Sequence, residues 1–186
     1  QKKKHAVSII CNFFGVSNDT NKPKIFFSED EILKYEKKFS DLKNNFIIIE
    51  PNVKSGFLGS NRAWPFHKWQ NLINKNAKKV NFIQVGDGKG KDLVNLYKNF
   101  NGKLTIRETI YLIKKAFGFL GTDSGLMHAA RAVETKSLIL YHQINSVELI
   151  GYHCNKNLLL PDLNCKYCGY KENFCPNNNK CMDFDE

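Results

Sequence analysis

The sequence predicts an α/β fold built on one parallel sheet flanked by helices. Short apolar runs such as Phe46–Ile49 and Leu138–Tyr141 alternate with longer segments whose apolar residues recur at helical spacing. A continuous apolar run is typical of a strand covered on both faces, as strands of parallel sheets are. Strands that alternate with helices favour right-handed crossovers between parallel neighbours. The length of 186 residues allows one good-sized domain with a substantial core.

The first part of the chain predicts two helices and one strand. Residues 3–14 are predicted to be helical, and Gly15 ends that helix because glycine readily adopts the left-handed conformation of a helix cap. Ser28 and Glu31 have the spacing of a capping box, so a second, charged helix is predicted to begin there. The run Phe46–Ile49 is the first predicted strand.

The middle of the chain predicts a loop, a helix and a second strand. A polar loop that contains glycine covers residues 51–63. Pro65 stands where a helix can begin, because proline fits the first helical turn, and Val80–Val85 is the second predicted strand. Four apolar residues after the proline repeat at helical spacing: Phe66, Trp69, Leu72 and Ile73.

The last part of the chain continues the alternation of helices and strands. Thr105 and Glu108 form a second capping box. The helix that they begin is predicted to present one apolar face, made of Ile106, Ile110, Ile113 and Phe117. The segment FGFLG is then a short strand, GTDSG a tight turn and LMHAARAV a helix. Leu138–Tyr141 is a buried strand, and Leu158–Leu160 is a weaker one.

The composition is basic, with 28 Lys and Arg residues against 18 Asp and Glu residues and a formal net charge of +10. Such a surface suits nucleic acid, an anionic membrane or phosphorylated ligands. Arg is scarce, however, and Lys is abundant beside Asn. Because proteins that read nucleic acid depend on Arg for bidentate contacts, this composition favours an ordinary solvated surface, and no nucleic-acid partner is expected.

The sequence predicts a cytoplasmic protein. No stretch approaches the roughly 18 consecutive apolar residues of a membrane span, and the first residues, QKKKHAVSIICNFFG, lack the features of a secretory signal. The first residue is Gln rather than Met, which indicates either a processed product or a piece of a longer protein.

The turn Gly121–Gly125 predicts an anion site, because a predicted strand leads directly into it and a helix follows. Open backbone N–H groups and the positive end of the helix suit a phosphate or diphosphate there. Ser124 can donate a hydroxyl, Gly125 lets the backbone approach an oxygen, and His128 lies one turn into the helix. Asp and Ser are also ordinary N-cap residues, so a purely structural role stays open on this motif alone.

Two further loops leave predicted strands at their carboxyl ends, where ligands bind in open parallel sheets. The loop before Trp64 contains Lys54, Ser55, Ser60 and Arg62. A cation there can balance the charge of a leaving diphosphate, although a solvated basic loop is the simpler interpretation. In the segment GDGKGKD, Asp87 or Asp92 can accept hydrogen bonds from ribose hydroxyls, but a fragment of this kind is a weak signal by itself.

Four of the six cysteines crowd the end of the chain: Cys165, Cys168, Cys175 and Cys181. Their thiolates can form a tetrahedral structural zinc site, in which the short spacing of the first pair is typical of ligands. Free thiols remain an equal alternative, and disulfides formed on purification are a third, since cytosolic proteins rarely keep disulfides.

Several stretches, taken in order, resemble the C-terminal half of glycosyltransferase family 9, the lipopolysaccharide heptosyltransferases and their relatives. They are IIIEPNVKSGFLGSNRAWPFHKW, FIQVGDG, KLTIRETIYLIKKAFGFLGTDSGLMHAARA and SLILY. The tail LLLPDLNCKYCGYKENFCPNNNKCM resembles the Cys-containing end of many members, so the resemblance covers nearly all of the chain. Its most specific element is D-S-G-x-x-H at residues 123–128.

The resemblance implies a GT-B architecture, in which two Rossmann-like domains enclose a cleft. Residues 1–45 would then be a helical and linker segment that joins to a missing N-terminal domain. Residues 46–160 would form the Rossmann-like domain that binds the nucleotide-sugar, and residues 161–186 a Cys-rich loop tail. The implied donor is a nucleotide-diphospho-sugar, often ADP-heptose, whose sugar is transferred with inversion and without an obligatory metal or other cofactor.

The resemblance also implies roles for individual residues. Ser124 and Gly125 would hold the diphosphate with their backbone amides, and His128 would contact the same group. Arg62 stands where relatives commonly carry Lys and would stabilise the leaving group. It would do so with a planar guanidinium, which presents several N–H donors, instead of the compact ammonium charge of Lys. The full predicted donor-binding set is Thr122, Asp123, Ser124, Gly125, His128, Asp87 and Ser60.

In this family the general base and the acceptor site belong to the N-terminal domain. The chain alone is therefore expected to bind donor nucleotide without transferring a sugar. The implied acceptor is lipopolysaccharide, another lipid-linked glycan or a related glycan. The net charge of +10, and not the resemblance, predicts peripheral docking of the basic face on the anionic inner face of the membrane. Two other hypotheses remain: a basic zinc-knuckle module that binds nucleic acid, and a noncatalytic nucleotide-binding domain.

Overall fold

A computed structural model describes residues 4–17, 22–53, 60–142, 147–160, 175 and 177–185. Its strands are β1 (Phe46–Ile49), β2 (Asn81–Gln84), β3 (Lys98–Asn99), β4 (Gly118–Thr122), β5 (Ser137–Tyr141) and β6 (Lys156–Leu159). Its α-helices are α1 (Ala6–Phe13), α2 (Glu29–Lys38), α3 (Phe66–Asn76), α4 (Ile106–Lys115), α5 (Gly125–Ala132) and α6 (Val147–Ile150). Single 3-10 turns lie at Ser60–Arg62 and Lys180–Met182. Within these ranges, every helix is too short or too polar to cross a membrane.

The strands of the described residues form one parallel sheet in the order β3-β2-β1-β4-β5-β6. This confirms the predicted fold class. The chain moves outward from β1 to β3 on one side and from β4 to β6 on the other, so the order reverses between β1 and β4. Doubly wound sheets of this order bind ligands in the crevice at that reversal, outside the carboxyl ends of the strands.

The predicted helix ends are confirmed where the capping chemistry is explicit. Both capping boxes form, at Ser28 with Glu31 and at Thr105 with Glu108. Gly15 follows α1 with a left-handed φ of +65°. The strand β3 and the helix α6 were not predicted, because two and four residues are too few to show a hydrophobic period.

The predicted apolar face of α4 is partly wrong. Ile110 and Ile113 are buried, but Ile106 is 63% exposed and Phe117 is 65% exposed. Ile106 is the first residue of the helix, and Phe117 lies beyond its last residue, in the segment that enters β4. The N–H of Phe117 donates to the carbonyl of Phe46. Its backbone therefore follows the sheet, and its side chain no longer shares the helix face.

Apolar cores cover both faces of the sheet. One core joins α2, α4 and α5 to one face and includes Tyr35, Phe39, Ile48, Ile113, Phe119 and Met127. The other core joins α3 and the C-terminal 3-10 turn to the opposite face and includes Ile49, Trp64, Trp69, Ile73 and Met182. Through Tyr35 and Phe39, the segment before residue 46 packs into the same body as the sheet. Because the central strands are held from both sides, the loops at their ends have a rigid base.

Candidate functional site

The loops that follow β1 and β4 lie side by side at the reversal of strand order. Ile49, the last residue of β1, pairs with Leu120 in β4. The N–H of Glu50 then donates to the carbonyl of Leu120 at 3.1 Å, which extends the ladder one residue beyond β1. The sheet thus brings the first residue after β1 beside the turn that the sequence predicts to bind an anion.

The turn between β4 and α5 leaves a helix N-terminus open. Ser124 is the N-cap residue, with φ −148° and ψ 172°, and its side chain makes no capping hydrogen bond to α5. The first N–H groups of a helix have no acceptors within it and carry its positive potential. A Cβ atom built on Gly125 would meet no described atom within 4 Å. The space in front of the turn therefore admits a ligand.

The Ser124 hydroxyl is instead engaged with Glu50. It donates to Oε2 of that carboxyl, which directly follows β1. Burial raises the pKa of the Glu50 carboxyl from its ordinary value of 4.5 to about 7. The hydrogen bond from Ser124 and the positive charge of Arg62 oppose this rise, and the negative charge of Asp87 adds to it. Glu50 is therefore an acid that changes charge near neutral pH at the edge of the open helix terminus.

Arg62 brings a cation to the same turn. It ends the 3-10 turn Ser60–Arg62, and its Nη1 donates to the backbone carbonyl of Asp123 at 3.3 Å. Its Nε is buried and has no hydrogen-bond partner among the described residues. A guanidinium has five donor hydrogens, so Arg62 retains the capacity to bind an anion beside α5. The residues Lys54 and Ser55 and the side chain of Ser60 lie outside the described part of the chain.

The side chain of Asp123 faces the protein interior. Its Oδ2 lies 3.1 Å from Nε2 of His142, and both side chains are buried. His142 directly follows β5. This hydrogen bond anchors the turn to the next strand, while the backbone carbonyl of Asp123 holds Arg62. Thr122, the last residue of β4, is also buried.

His128 is held by an aromatic neighbour. Its Nδ1 lies 2.7 Å from the hydroxyl of Tyr152, and the two rings meet edge to face at 5.5 Å. Burial lowers the pKa of His128, and the charge of Asp123 opposes that decrease, so the site favours the neutral imidazole. Burial raises the pKa of Tyr152, which keeps its hydroxyl protonated.

The loop after β2 is shaped by two glycines that touch. Gly88 has φ +82° and Gly102 has φ +70°, and a Cβ built on Gly102 would lie only 2.7 Å from Cα of Gly88. Asp87 is exposed on this loop, and its Oδ1 accepts a hydrogen bond from the N–H of Lys89 at 3.0 Å. Asp92 accepts from the side-chain amide of Asn101 at 2.9 Å. Asp87 thus presents a carboxylate to solvent, whereas Asp92 supports the loop.

The sequence model of glycosyltransferase family 9 (heptosyltransferase) matches residues 2–178. The chain belongs to this family. No curated protein sequence matches it.

Solved structures share the fold of this family 9 chain. One of a glycosyl transferase family 9 protein from Veillonella parvula DSM 2008 has a TM-score of 0.65 and 15% identity over 86% of this chain and 49% of that chain. The E. coli ADP-heptose lps heptosyltransferase II has a TM-score of 0.59 and 20% identity, and the match covers 74% of this chain and 45% of that chain. E. coli heptosyltransferase WaaC with ADP-2-deoxy-2-fluoro heptose has a TM-score of 0.59 and 12% identity, and the match covers 98% of this chain and 54% of that chain. The chain thus spans about half the length of these proteins.

The cysteines of the family 9 tail are only partly described. Cys165 and Cys168 lie outside the described residues. Cys181 is buried within the second core, among apolar side chains. Among the residues that the structure describes, no group of three or more His, Cys, Asp or Glu side chains is arranged to hold a metal ion. The zinc site stays a prediction.

Sequence reasoning missed three residues of this site: Glu50, His142 and Tyr152. Glu50 and His142 share a signal, since each is the first polar residue after a buried apolar strand. A polar residue at that position lies at the carboxyl edge of a parallel sheet, where ligands bind. Tyr152 has no comparable signal, because its role depends on contact with α5.

Gly102→Ala is expected to destabilise the chain more than Gly15→Ala. Both glycines have a left-handed φ, which costs an Ala side chain about 1–2 kcal/mol. Only Gly102 also has backbone in the path of the new Cβ, whereas no described atom lies within 4 Å at Gly15. In denaturant unfolding, the free energy of unfolding should fall by about 1 kcal/mol for Gly15→Ala and by at least twice as much for Gly102→Ala. Equal losses would contradict the contact between Gly88 and Gly102.

Glu50→Gln is expected to stabilise the chain above pH 7 and to have little effect at pH 4. The folded-state pKa of Glu50 is about 7 against an ordinary value of 4.5. The contribution of Glu50 to the free energy of unfolding is therefore most favourable below about pH 4.5 and is lost as pH rises through 7. The neutral amide of Glu50→Gln does not ionise and so avoids this loss. Denaturant unfolding at pH 8 should show a free energy of unfolding up to about 3 kcal/mol higher for Glu50→Gln than for the wild type. A gain that does not change with pH would exclude this titration.

Proposed function

We propose that this chain is the donor-binding part of an inverting glycosyltransferase. Its donor would be a nucleotide-diphospho-sugar, ADP-heptose in the first instance, and its acceptor lipopolysaccharide or another glycan. The observation that supports this most directly is the open N-terminus of α5 with Arg62 beside it, at the reversal of strand order. The solved relatives, which include an ADP-heptose enzyme and a complex with an ADP-heptose analogue, favour the same donor.

In this proposal the diphosphate binds at the turn before α5. The backbone N–H groups of Ser124 and Gly125 would donate to its oxygens, assisted by the positive end of the helix. As the bond between the sugar and the diphosphate breaks, negative charge builds up on the leaving group. Arg62 would stabilise that charge with the donor hydrogens that have no partner among the described residues.

Two other side chains extend the donor site. If Tyr152 donates to Nδ1 of His128, the ring proton lies on Nε2 and can be donated to a phosphate oxygen. Asp87 would accept hydrogen bonds from ribose hydroxyls, because its carboxylate is exposed at the same edge of the sheet. Thr122 and Asp123 would support this site through the backbone, since their side chains are buried.

The general base and the acceptor site would come from an N-terminal domain. The chain spans about half the length of its solved relatives, so we expect it to bind donor nucleotide without transferring a sugar. The whole enzyme would work without a metal in the reaction, in the cytoplasm. Its net charge of +10 would favour peripheral contact with an anionic membrane that carries a lipid-linked acceptor.

Nucleotide binding by the chain tests this proposal. Isothermal titration calorimetry should detect binding of ADP, with weaker binding of AMP because AMP lacks the second phosphate. Gly125→Ala should weaken ADP binding by about tenfold or more, since its methyl group enters the space of the ligand and meets no described protein atom. The unfolding midpoint of this variant should not fall.

Gly118→Ala is the matched control for that experiment. Its Cβ makes ordinary contact at 3.4 Å with the carbonyl of Lys136, at the opposite end of β4. ADP should bind to it as to the wild type. Failure of the wild type to bind any nucleoside diphosphate would remove the proposed function.

Arg62→Ala should weaken ADP binding more than AMP binding, because the guanidinium is proposed to act on the diphosphate. Arg62→Lys should recover part of the loss, since it restores charge but not the planar fork. Lys136→Ala removes an equal charge at the amino end of β5, on the opposite edge of the sheet, and should leave both affinities unchanged. Equal losses in the two Ala variants would indicate a general charge effect instead of a site.

A further inference from the structure

Ser124 differs from the other hydroxyl N-caps described in this chain. The Ser28 side chain accepts a hydrogen bond from the N–H of Glu31, and the Thr105 side chain does the same with Glu108. Such bonds satisfy one of the free N–H groups of the helix. The Ser124 side chain makes no bond of this kind, and its hydroxyl is directed to the Glu50 carboxyl instead. The hydrogen bond between Ser124 and Glu50 therefore takes the place of the capping hydrogen bond at the N-terminus of α5.

We propose that Glu50 is a positioning residue of the donor site: by holding the Ser124 side chain, it keeps the first N–H groups of α5 available to the diphosphate. This inference rests on the proposed function. Nothing in the family resemblance assigns a role to Glu50, which stands one residue beyond β1. Its backbone is fixed by the hydrogen bond to Leu120, so the carboxyl approaches Ser124 from a rigid strand end.

The protonated form of Glu50 suits this role best. A protonated carboxyl can donate to Oγ of Ser124, which frees the hydroxyl hydrogen of Ser124 for a phosphate oxygen. An ionised carboxyl keeps that hydrogen and adds a negative charge near the diphosphate. With a pKa of about 7, the carboxyl changes between these two forms at neutral pH. Donor binding should then favour the form that carries the proton.

The other charged groups around Glu50 do not reverse this direction. Arg62 stabilises the ionised carboxyl and Asp87 opposes ionisation. Asp123 is engaged by His142 on the interior side of the turn. A bound diphosphate adds negative charge to this set, so it raises the pKa of Glu50 further. The complex therefore holds more protons than the free chain, and affinity falls as pH rises through 7.

The test is calorimetric titration of ADP into the full chain at pH 6 and pH 8. Glu50→Gln serves as the baseline, because any pH dependence that it shows comes from the titration of ADP itself. From pH 6 to pH 8, the dissociation constant of the wild type for ADP should rise by up to about tenfold more than that of Glu50→Gln. Glu50→Gln should bind ADP at pH 6 about as well as the wild type, because its amide can donate to Ser124. Asp41→Asn, whose carboxylate pairs with Lys98 on the surface, should keep the wild-type pH dependence.

Glu50→Ala separates positioning from charge. With Ser124 released to cap α5, ADP affinity at pH 6 should fall about tenfold without a lower unfolding midpoint. In the Ser124→Ala background the same substitution should change affinity by less than about twofold, since there is no side chain to hold. If Glu50→Ala does not fold, the pH dependence of Glu50→Gln decides the question alone.

The possible failures are distinguishable. A wild-type chain that binds no ADP removes the proposed function. A wild type that binds ADP, with Glu50→Gln showing the same pH dependence as the wild type, overturns the role of Glu50 and leaves the proposed function intact. Equal effects of Glu50→Ala in both Ser124 backgrounds would also overturn it, because Glu50 would then act on something other than Ser124.

Discussion

Parallel pairing between β1 and β4 determines the geometry of the candidate site. Pairing of Ile49 with Leu120 sets the residue after β1 beside the turn before α5. The apolar cores on both faces fix this register, because a slip of one residue would exchange the faces of Ile48 and Ile49. The contact between Glu50 and Ser124 depends on that register. The site is thus positioned by the sheet, and its loops supply the chemical groups.

The balance of charge around the turn suits an anion. Burial keeps a large fraction of Glu50 protonated at neutral pH, and Asp123 is turned inward to His142. Arg62 remains close to the positive end of α5 with donor capacity that the described protein groups leave unfilled. A negative ligand is therefore attracted both by a side chain and by the helix terminus. A fully ionised Glu50 would weaken this attraction, which gives its raised pKa a consequence for binding.

Much of this arrangement follows from local sequence, and the remainder follows from long-range packing. The capping boxes, the strand Phe46–Ile49 and the strand-turn-helix around Gly125 all have signals within a few residues, and the structure contains each of them. The proximity of Arg62 to that turn could be expected, because both leave carboxyl ends of strands. The partner of Ser124 could not be identified in this way, since it depends on which strands are neighbours. Burial of the Asp123 side chain depends in the same way on β5.

An open helix terminus and a desolvated carboxyl both reduce stability. A Ser N-cap that makes no capping bond forgoes roughly 1 kcal/mol, and Glu50 loses solvation without a paired cation within ion-pair distance in the described residues. Selection for stability alone would favour the capped arrangement found at α2 and α4. Functional sites commonly keep such locally unfavourable features, which the surrounding core offsets. Here both features meet at one hydrogen bond, at the reversal of strand order, so a ligand that satisfies the free N–H groups would recover the stability that this part of the fold lacks.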